Sequence, residues 1–203
     1  MEAAPVDDVA QAIADESALP GASVTDINAM IAEEEAKSPG ITDQLISYSV
    51  DPVTTPAECA PLAPTAVSVI ALAAQNPGTV AAREITSTET GGTTSVVLSK
   101  DPALLIFPAD LTPCGTFERT SGEFNATYSA SSLPLEVPGA KETSAASVVV
   151  ENANNEISGA PGGTSRIARV AMGNVAFLVS GDENVPEEDF LTVVRAQAEK
   201  ISR

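Results

Sequence analysis

The segment SRIARVAMGNVAFLVSG, residues 165–181, constrains the fold more than any other stretch of this chain. It contains two apolar segments of matched length on either side of Gly173-Asn174, which is the pattern of two paired β-strands. A two-residue connection of this kind accepts the backbone angles of a tight hairpin turn. The sequence therefore predicts an antiparallel hairpin here, and with it a sheet as the centre of the fold.

More strands are predicted after Asn-Pro-Gly at 76–78, where the sequence changes to a period of two and becomes rich in Thr and Val. Val80–Thr90 and Thr93–Ser99 are predicted to pair about a Gly91-Gly92 turn, and TFERTSG with EFNATYSAS about Ser121-Gly122. SAASVVVENA adds another strand. DPALLIFPADL, between them, is interpreted as a short helix with Asp101 as its cap and Pro102 at its first position.

Helical spacing of apolar residues is found before and after this run of strands. Helices are predicted over Pro5–Ser17, over Pro64–Gln75, and over VPEEDFLTVVRAQAEKISR at the C-terminus. The last of these has an apolar stripe of Leu191, Val194, Ala198 and Ile201, broadened by Phe190 and Val193. Residues 22–50 stay open between a helix capped by Thr25 or Asp26 and a solvated acidic loop.

Together these elements predict an α+β fold, in which an antiparallel sheet of six or seven strands packs against N-terminal and C-terminal helices. We expect residues 1–50 to be a helical segment packed on or leading into the main domain. Residues 51–203 are expected to form that domain, with the whole chain as one structural unit.

The chain is strongly acidic, with 28 Asp and Glu against 10 Lys and Arg and a formal net charge of −18. Phosphate backbones and anionic lipid surfaces are repelled at long range, so nucleic-acid binding is not expected. The charge is interpreted as a means of solubility rather than as the mark of a cationic partner. The longest apolar run, Ala66–Ala74, is about half of what a bilayer requires. Because MEAAPVDD has no signal-peptide pattern, the protein is either cytoplasmic or has lost an export signal.

The residues available for catalysis are few, because the chain contains no His. This removes the Ser-His-Asp and Cys-His nucleophile systems and the commonest zinc ligand. GAPGGTSR (159–166) lacks the lysine and the flanking strand and helix of a phosphate loop, and DENVPEEDF (182–190) lacks calcium-loop spacing. No catalytic residue, metal ligand or cofactor is predicted.

The two cysteines, Cys59 in TTPAECAPLAP and Cys114 in LTPCGTF, are predicted to form a disulfide. Glu58 lies beside Cys59, and no histidine is present to stabilise a thiolate, so neither a catalytic thiol nor a metal site is favoured. Two separate buried thiols are the alternative. A disulfide would indicate an oxidising compartment outside the cytoplasm.

The order of elements resembles the PknH-like extracellular sensor-domain family of mycobacterial and corynebacterial lipoproteins and receptor kinases. The resemblance is carried by ALPG after the opening helix, PAEC before the Ala-rich helix, PALLIFPADLTPCGTFE, GNVAFLVSG and the final VRAQAEKI helix. It implies a disulfide-stapled α+β domain outside the membrane, often lipid-anchored through an upstream cysteine. The chain departs from the kinase-linked branch in having no Trp and no second cysteine pair.

These observations predict a non-enzymatic lipoprotein or secreted sensor-like domain with a cleft for a small or lipidic ligand or an envelope partner. An accessory subunit of a membrane or cell-wall complex is the alternative, and a carboxylate-dependent hydrolase is a weaker one. Ligand-binding residues are not predicted individually. GAPGGTSR and Gly91-Gly92 are candidate rims, with Arg166 and Arg169 as nearby cations, although salt bridges on a strand face explain both arginines better.

Overall fold

The structure is a computed structural model, and it describes residues 5–48, 52–154 and 161–203. In these ranges nine strands form one antiparallel sheet, in the spatial order β1-β3-β4-β9-β8-β7-β6-β5-β2. The strands are β1 (Ala22–Asp26), β2 (Val53–Thr55), β3 (Val80–Ser87), β4 (Thr93–Ser99), β5 (Phe117–Ser121), β6 (Phe124–Ser132), β7 (Glu142–Ala153), β8 (Thr164–Met172) and β9 (Val175–Gly181).

Five α-helices accompany the sheet in the described ranges. They are α1 (Val9–Ala12), α2 (Ile27–Lys37), α3 (Ile41–Tyr48), α4 (Ala66–Gln75) and α5 (Glu187–Ile201). Short 3-10 turns cover Glu16–Ala18, Ala57–Leu62, Pro102–Leu104 and Thr112–Cys114. The α+β class is confirmed, as is the antiparallel sheet packed against helices.

The sheet has nine strands, so the prediction of six or seven was wrong. The two additional strands, β1 and β2, are its two edges. They are only five and three residues long, and each pairs with a strand more than fifty residues later in the chain. Strands this short have almost no periodicity of their own, and their pairing is decided by distant partners.

Local turn chemistry set several boundaries differently from the prediction. The β3–β4 connection is residues 88–92 rather than Gly91-Gly92 alone, because the Ser87 hydroxyl accepts from the backbone N–H groups of Glu89 and Thr90. The β5–β6 turn is centred on Gly122 and residue 123, since Ser121 pairs with Phe124. The β8–β9 turn is Gly173-Asn174, as predicted, with Met172 opposite Val175.

The opening helix is shorter than the predicted Pro5–Ser17, because the helix proper ends at Ala12. Ile13 is extended and fully buried, and Ala14 follows it into the core. The open question over residues 22–50 is answered by α2, whose first turn is capped by Asp26. In α2 the acidic run is solvated, and Lys37 pairs with Glu33 at 2.8 Å. Residues 49 and 50 of that segment lie outside the described residues.

The sheet buries apolar side chains on both faces. On the α5 face, the N-terminal segment and α5 cover β3, β4, β8 and β9, and the core includes Phe177, Phe190 and Val194. On the other face, which we call the disulfide face, α2 and α4 cover the β3–β4 half. The Cys59–Cys114 region covers the β5–β8 half. Leu178 contacts both of these clusters, so they share that face.

Candidate functional site

The disulfide predicted between Cys59 and Cys114 is present, with an S–S distance of 2.01 Å and both residues fully buried. Each cysteine lies in a 3-10 turn, one leading into α4 and the other leading into β5. The bond therefore ties the approach to α4 against the sheet. Leu62, Phe117 and Tyr128 pack around it.

A cleft opens beside this disulfide, on the same face of the sheet, with a volume of about 560 Å³. Its walls are the chain leading into α4, residues 62–66, and the loop after β9, residues 182–184. Its floor is made by strand residues of the disulfide face, including Ser95, Tyr128, Val150, Ser165, Ile167 and Ser180. A volume of this size is typical of a small-molecule site.

The floor of the cleft carries several hydroxyl groups. Ser95 of β4 lies directly opposite Ser180 of β9. The hydroxyls of both serines make no hydrogen bond to any residue that the structure describes. Ser165, by contrast, donates to the Val148 carbonyl at 3.4 Å.

Tyr128 is the aromatic residue of the floor. It is 7 % exposed, and its ring stacks on Phe117 with centroids 5.2 Å apart and planes 16° apart. Its hydroxyl also makes no hydrogen bond within the described ranges. The ring is buried but the hydroxyl oxygen is not, so the hydroxyl is open to the cleft.

Charged residues at the cleft are held by the protein itself. Arg119 donates from Nη1 to the Ala63 carbonyl at 2.7 Å, which fixes the wall leading into α4. Arg166 donates to the Val185 carbonyl at 3.0 Å and pairs with Glu187 at 3.4 Å. Asp182 uses one carboxylate oxygen to accept from Thr93 N and the other to accept from Asn184 N, both at 2.8 Å.

The candidate rims of the sequence analysis lie partly at this cleft. Of GAPGGTSR, Gly163, Ser165 and Arg166 line it, whereas 159 and 160 lie outside the described residues. Gly92 packs directly against the wall formed by residues 182–184, because a Cβ on Gly92 would lie 2.6 Å from the backbone of Asn184. Arg169 lies outside the cleft, where it pairs with Glu142 at 2.7 Å and donates to the carbonyls of Leu105 and Pro102.

The residues that make the floor were not found from the sequence. Ser95, Tyr128 and Ser180 belong to strands that are distant in sequence, and β4 lies beside β9 only in the folded sheet. Period two indicates which residues of one strand share a face, but strand order decides which strands meet. The sequence signal available was the alternation within each strand, and it does not show which strands lie side by side to form the floor.

Two carboxylates outside the cleft have pKa values lowered by hydrogen bonds from nearby backbone. Hydrogen bonds from the backbone of Gly40 and Thr42 lower the pKa of Glu35, and a hydrogen bond from Thr112 N lowers that of Asp110. Both carboxylates stabilise local backbone in this way. Among the described residues there is no group of three or more Cys, Asp or Glu side chains placed to hold a metal ion.

The described helices include none with the length and apolar character needed to cross a membrane. The acidic C-terminal segment DENVPEEDF also proves to be local structure. Asp182 and Asn184 shape a turn, and Glu187, Glu188 and Asp189 occupy the first turn of α5, where the helix dipole favours acids.

The fold has a counterpart among solved structures. No protein-family model and no curated protein matches the chain. An uncharacterized protein of Mycobacterium smegmatis, an Rv0999 ortholog, has a similar solved structure, with a TM-score of 0.52 and 13 % identity over 97 % of this chain and 98 % of that one. The extracellular domain of PknH from Mycobacterium tuberculosis matches with a TM-score of 0.48 and 13 % identity, over 81 % of this chain and 91 % of that one. At such identity the likeness concerns the fold alone.

Proposed function

We propose that this chain is a non-enzymatic, extracytoplasmic binding domain that holds a small ligand in the cleft on its disulfide face. The observation that carries the proposal is the cleft itself, whose floor places unengaged hydroxyls of Ser95, Tyr128 and Ser180 beside a wall held by Arg119. Pockets that combine apolar walls with a few placed polar groups are the usual form of a ligand site.

The disulfide supports a location outside the cytoplasm. Cys59 and Cys114 are fully buried and joined, and structural disulfides are rare where cellular thiols keep cysteines reduced. The net charge of −18 suits a soluble domain in such a compartment. A lipid anchor attached upstream of this sequence belongs to the same proposal, as the route by which the domain would stay at a membrane.

The chemistry of the cleft supports binding rather than catalysis. The chain has no histidine to act as a general base. Both oxygens of Asp182 already accept hydrogen bonds from the backbone, which suits a structural carboxylate. The remaining polar groups of the floor are hydroxyls, which orient a ligand well but are weak nucleophiles without an adjacent base.

Native mass spectrometry of protein from its natural source tests the proposal. We expect the wild type to retain a small molecule and Ser180→Tyr to lose it, because a tyrosine side chain there would fill the cleft floor. Ser131→Tyr is the matched control, since Ser131 is exposed on β6 of the same sheet and faces away from the cleft.

Two results would contradict the proposal. One is retention of the same bound mass by Ser180→Tyr and the wild type. The other is a wild-type protein that carries no small molecule at all. A stable, stoichiometric envelope protein found in its place would favour the accessory-subunit interpretation.

A further inference from the structure

We infer that the cleft selects an elongated ligand of zero net charge, with a hydrogen-bonding group near each end and an apolar body between them. This inference rests on the proposed function, since it names the class of ligand for the same site. Tyr128 would bind one end of the ligand, and the Ser95–Ser180 pair the other.

The Tyr128 hydroxyl is the strongest evidence. The side chain is more than nine-tenths buried and lines the cleft, and its hydroxyl has no partner among the described residues. Stacking on Phe117 occupies one face of the ring and fixes its position. The ring is therefore committed to the core, and the hydroxyl is the part of it that a ligand can use.

The Ser95–Ser180 pair is a second polar position, well separated from the first. Strands β7 and β8 lie between β6, which carries Tyr128, and β9, which carries Ser180. Three strand spacings of roughly 4.8 Å put the two positions at least on the order of 14 Å apart, and the register adds a separation of about four residues along the strands. A ligand that uses both must therefore be elongated.

The floor between the two positions is mainly apolar, and the Ser165 hydroxyl there already donates to the Val148 carbonyl. Val150 and Ile167 line it there, and Leu62 lines the wall beside them. These side chains offer no hydrogen bond, so the middle of the ligand is best matched by hydrocarbon. Both rings of the Phe117–Tyr128 stack are already packed, which disfavours a flat sugar ring that would need a free aromatic face.

The charges argue for a ligand without net charge. Two arginines, Arg119 and Arg166, and two acids, Asp182 and Glu183, line the cleft, so its formal local charge is 2 − 2 = 0. Hydroxyls and hydrocarbon cannot compensate a buried full charge on the ligand. The long-range field of a chain with net charge −18 also opposes an anion.

The inference is tested with decane derivatives of one length and different ends, titrated into the oxidised full chain and followed by NMR. The probes are decanediol with a hydroxyl at each end, decanol, decanedioate and the terminal diamine. We expect decanediol to bind the wild type about three- to tenfold more tightly than decanol, which is the gain from one additional hydrogen bond. The diacid and the diamine should bind more weakly than the diol.

Single-atom changes in the protein then locate the two ends. Tyr128→Phe and Ser180→Ala should each reduce the affinity for decanediol to that for decanol, and leave the affinity for decanol unchanged. The thermal midpoint of Tyr128→Phe should equal that of the wild type, because the lost hydroxyl has no partner in the described structure. Ser131→Ala, on the opposite face, should change nothing.

The inference is overturned if the wild type binds none of the probes, or binds decanol or decanedioate as tightly as decanediol. A Tyr128→Phe protein that is less stable but keeps the preference for the diol would also overturn it, since the hydroxyl would then be structural. With any of these results, the proposed function would still stand if the wild type retained a natural ligand and Ser180→Tyr lost it. If Ser180→Tyr kept that ligand, the cleft would not be the binding site, and the proposed function would fall as well.

Discussion

Asp15 illustrates how single residues join distant parts of this chain. Its carboxylate caps the 3-10 turn Glu16–Ala18 by accepting from Ser17 N at 3.0 Å, and it forms an ion pair with Lys200 near the end of α5. The hydrogen bond from Lys200, followed by the bonds from Ser17, holds the pKa of Asp15 far below its usual value of 3.8. The ionised carboxylate is therefore favoured by folding.

Asp15→Asn should remove this contribution while keeping the cap, because Asn caps turns and helices as well as Asp does. A carboxylate whose pKa is lowered by folding stabilises the protein above its unfolded pKa, and the effect is lost as the pH falls below that value. We expect the variant to be less stable at pH 7 by at most ~1 kcal/mol, since the pair is partly exposed.

The measurement is urea unfolding of both proteins across the acid range. The difference between them should narrow progressively below about pH 4, as Asp15 of the wild type becomes protonated in the unfolded chain. A difference that stayed constant down to pH 2 would show that the charge of Asp15 contributes nothing.

At the scale of elements, the N-terminal segment is held by side chains of other elements rather than by helix formation. Gln197 of α5 is fully buried, accepts from Ala14 N at 2.6 Å and donates to the Ala12 carbonyl at 2.9 Å. Arg83 of β3 donates to the carbonyls of Ile13 and Ala14 at 3.2 and 3.0 Å. These bonds satisfy backbone groups that a longer helix would have used, which explains why α1 ends at Ala12.

Gln197→Leu should therefore destabilise the protein by about 1–3 kcal/mol, because it leaves buried backbone groups without partners. Gln11→Leu is the matched control, since Gln11 is exposed on α1 and should change stability little. Urea unfolding gives the energies, and hydrogen exchange of the Ala14 amide shows where the loss occurs. Unchanged protection of that amide in Gln197→Leu would contradict this account of the segment.

At the scale of the whole molecule, the disulfide joins two parts of the sheet cover that are 55 residues apart in sequence. The intervening chain forms α4, β3 and β4, which belong to the other half of the disulfide face. The bond therefore fixes the cleft wall at residues 62–66 relative to β2, which precedes that wall in the chain, and to β5, which follows it. Its burial also shields it from reductants in the folded state.

Replacing both cysteines, Cys59→Ala with Cys114→Ala, should lower the free energy of unfolding by up to about 4 kcal/mol, because the unfolded chain regains the entropy of the open loop. Chemical denaturation of the variant and of the oxidised wild type measures the difference. The wild type unfolded in the presence of reductant should show the same loss. Equal midpoints for the double variant and for the wild type with and without reductant would mean that the bond contributes nothing to stability.

The sequence by itself determined the elements whose signals are local. The Gly173-Asn174 hairpin and the α4 and α5 helices follow from periodicity, turn residues and caps within a few positions. The disulfide was predicted because a chain with two cysteines and no histidine leaves few other uses for them.

Only the tertiary structure decided the strand order, the two short edge strands and the cleft. Ser95, Tyr128 and Ser180 line one cleft because β4 pairs with β9 and because β8, β7 and β6 follow β9 across the sheet. Such pairings depend on how the whole apolar surface is buried. A strand of alternating residues can bury its apolar face next to many different strands, so its own sequence does not select one of them. The physical reason is that periodicity specifies a face, whereas packing of the complete sheet specifies a neighbour.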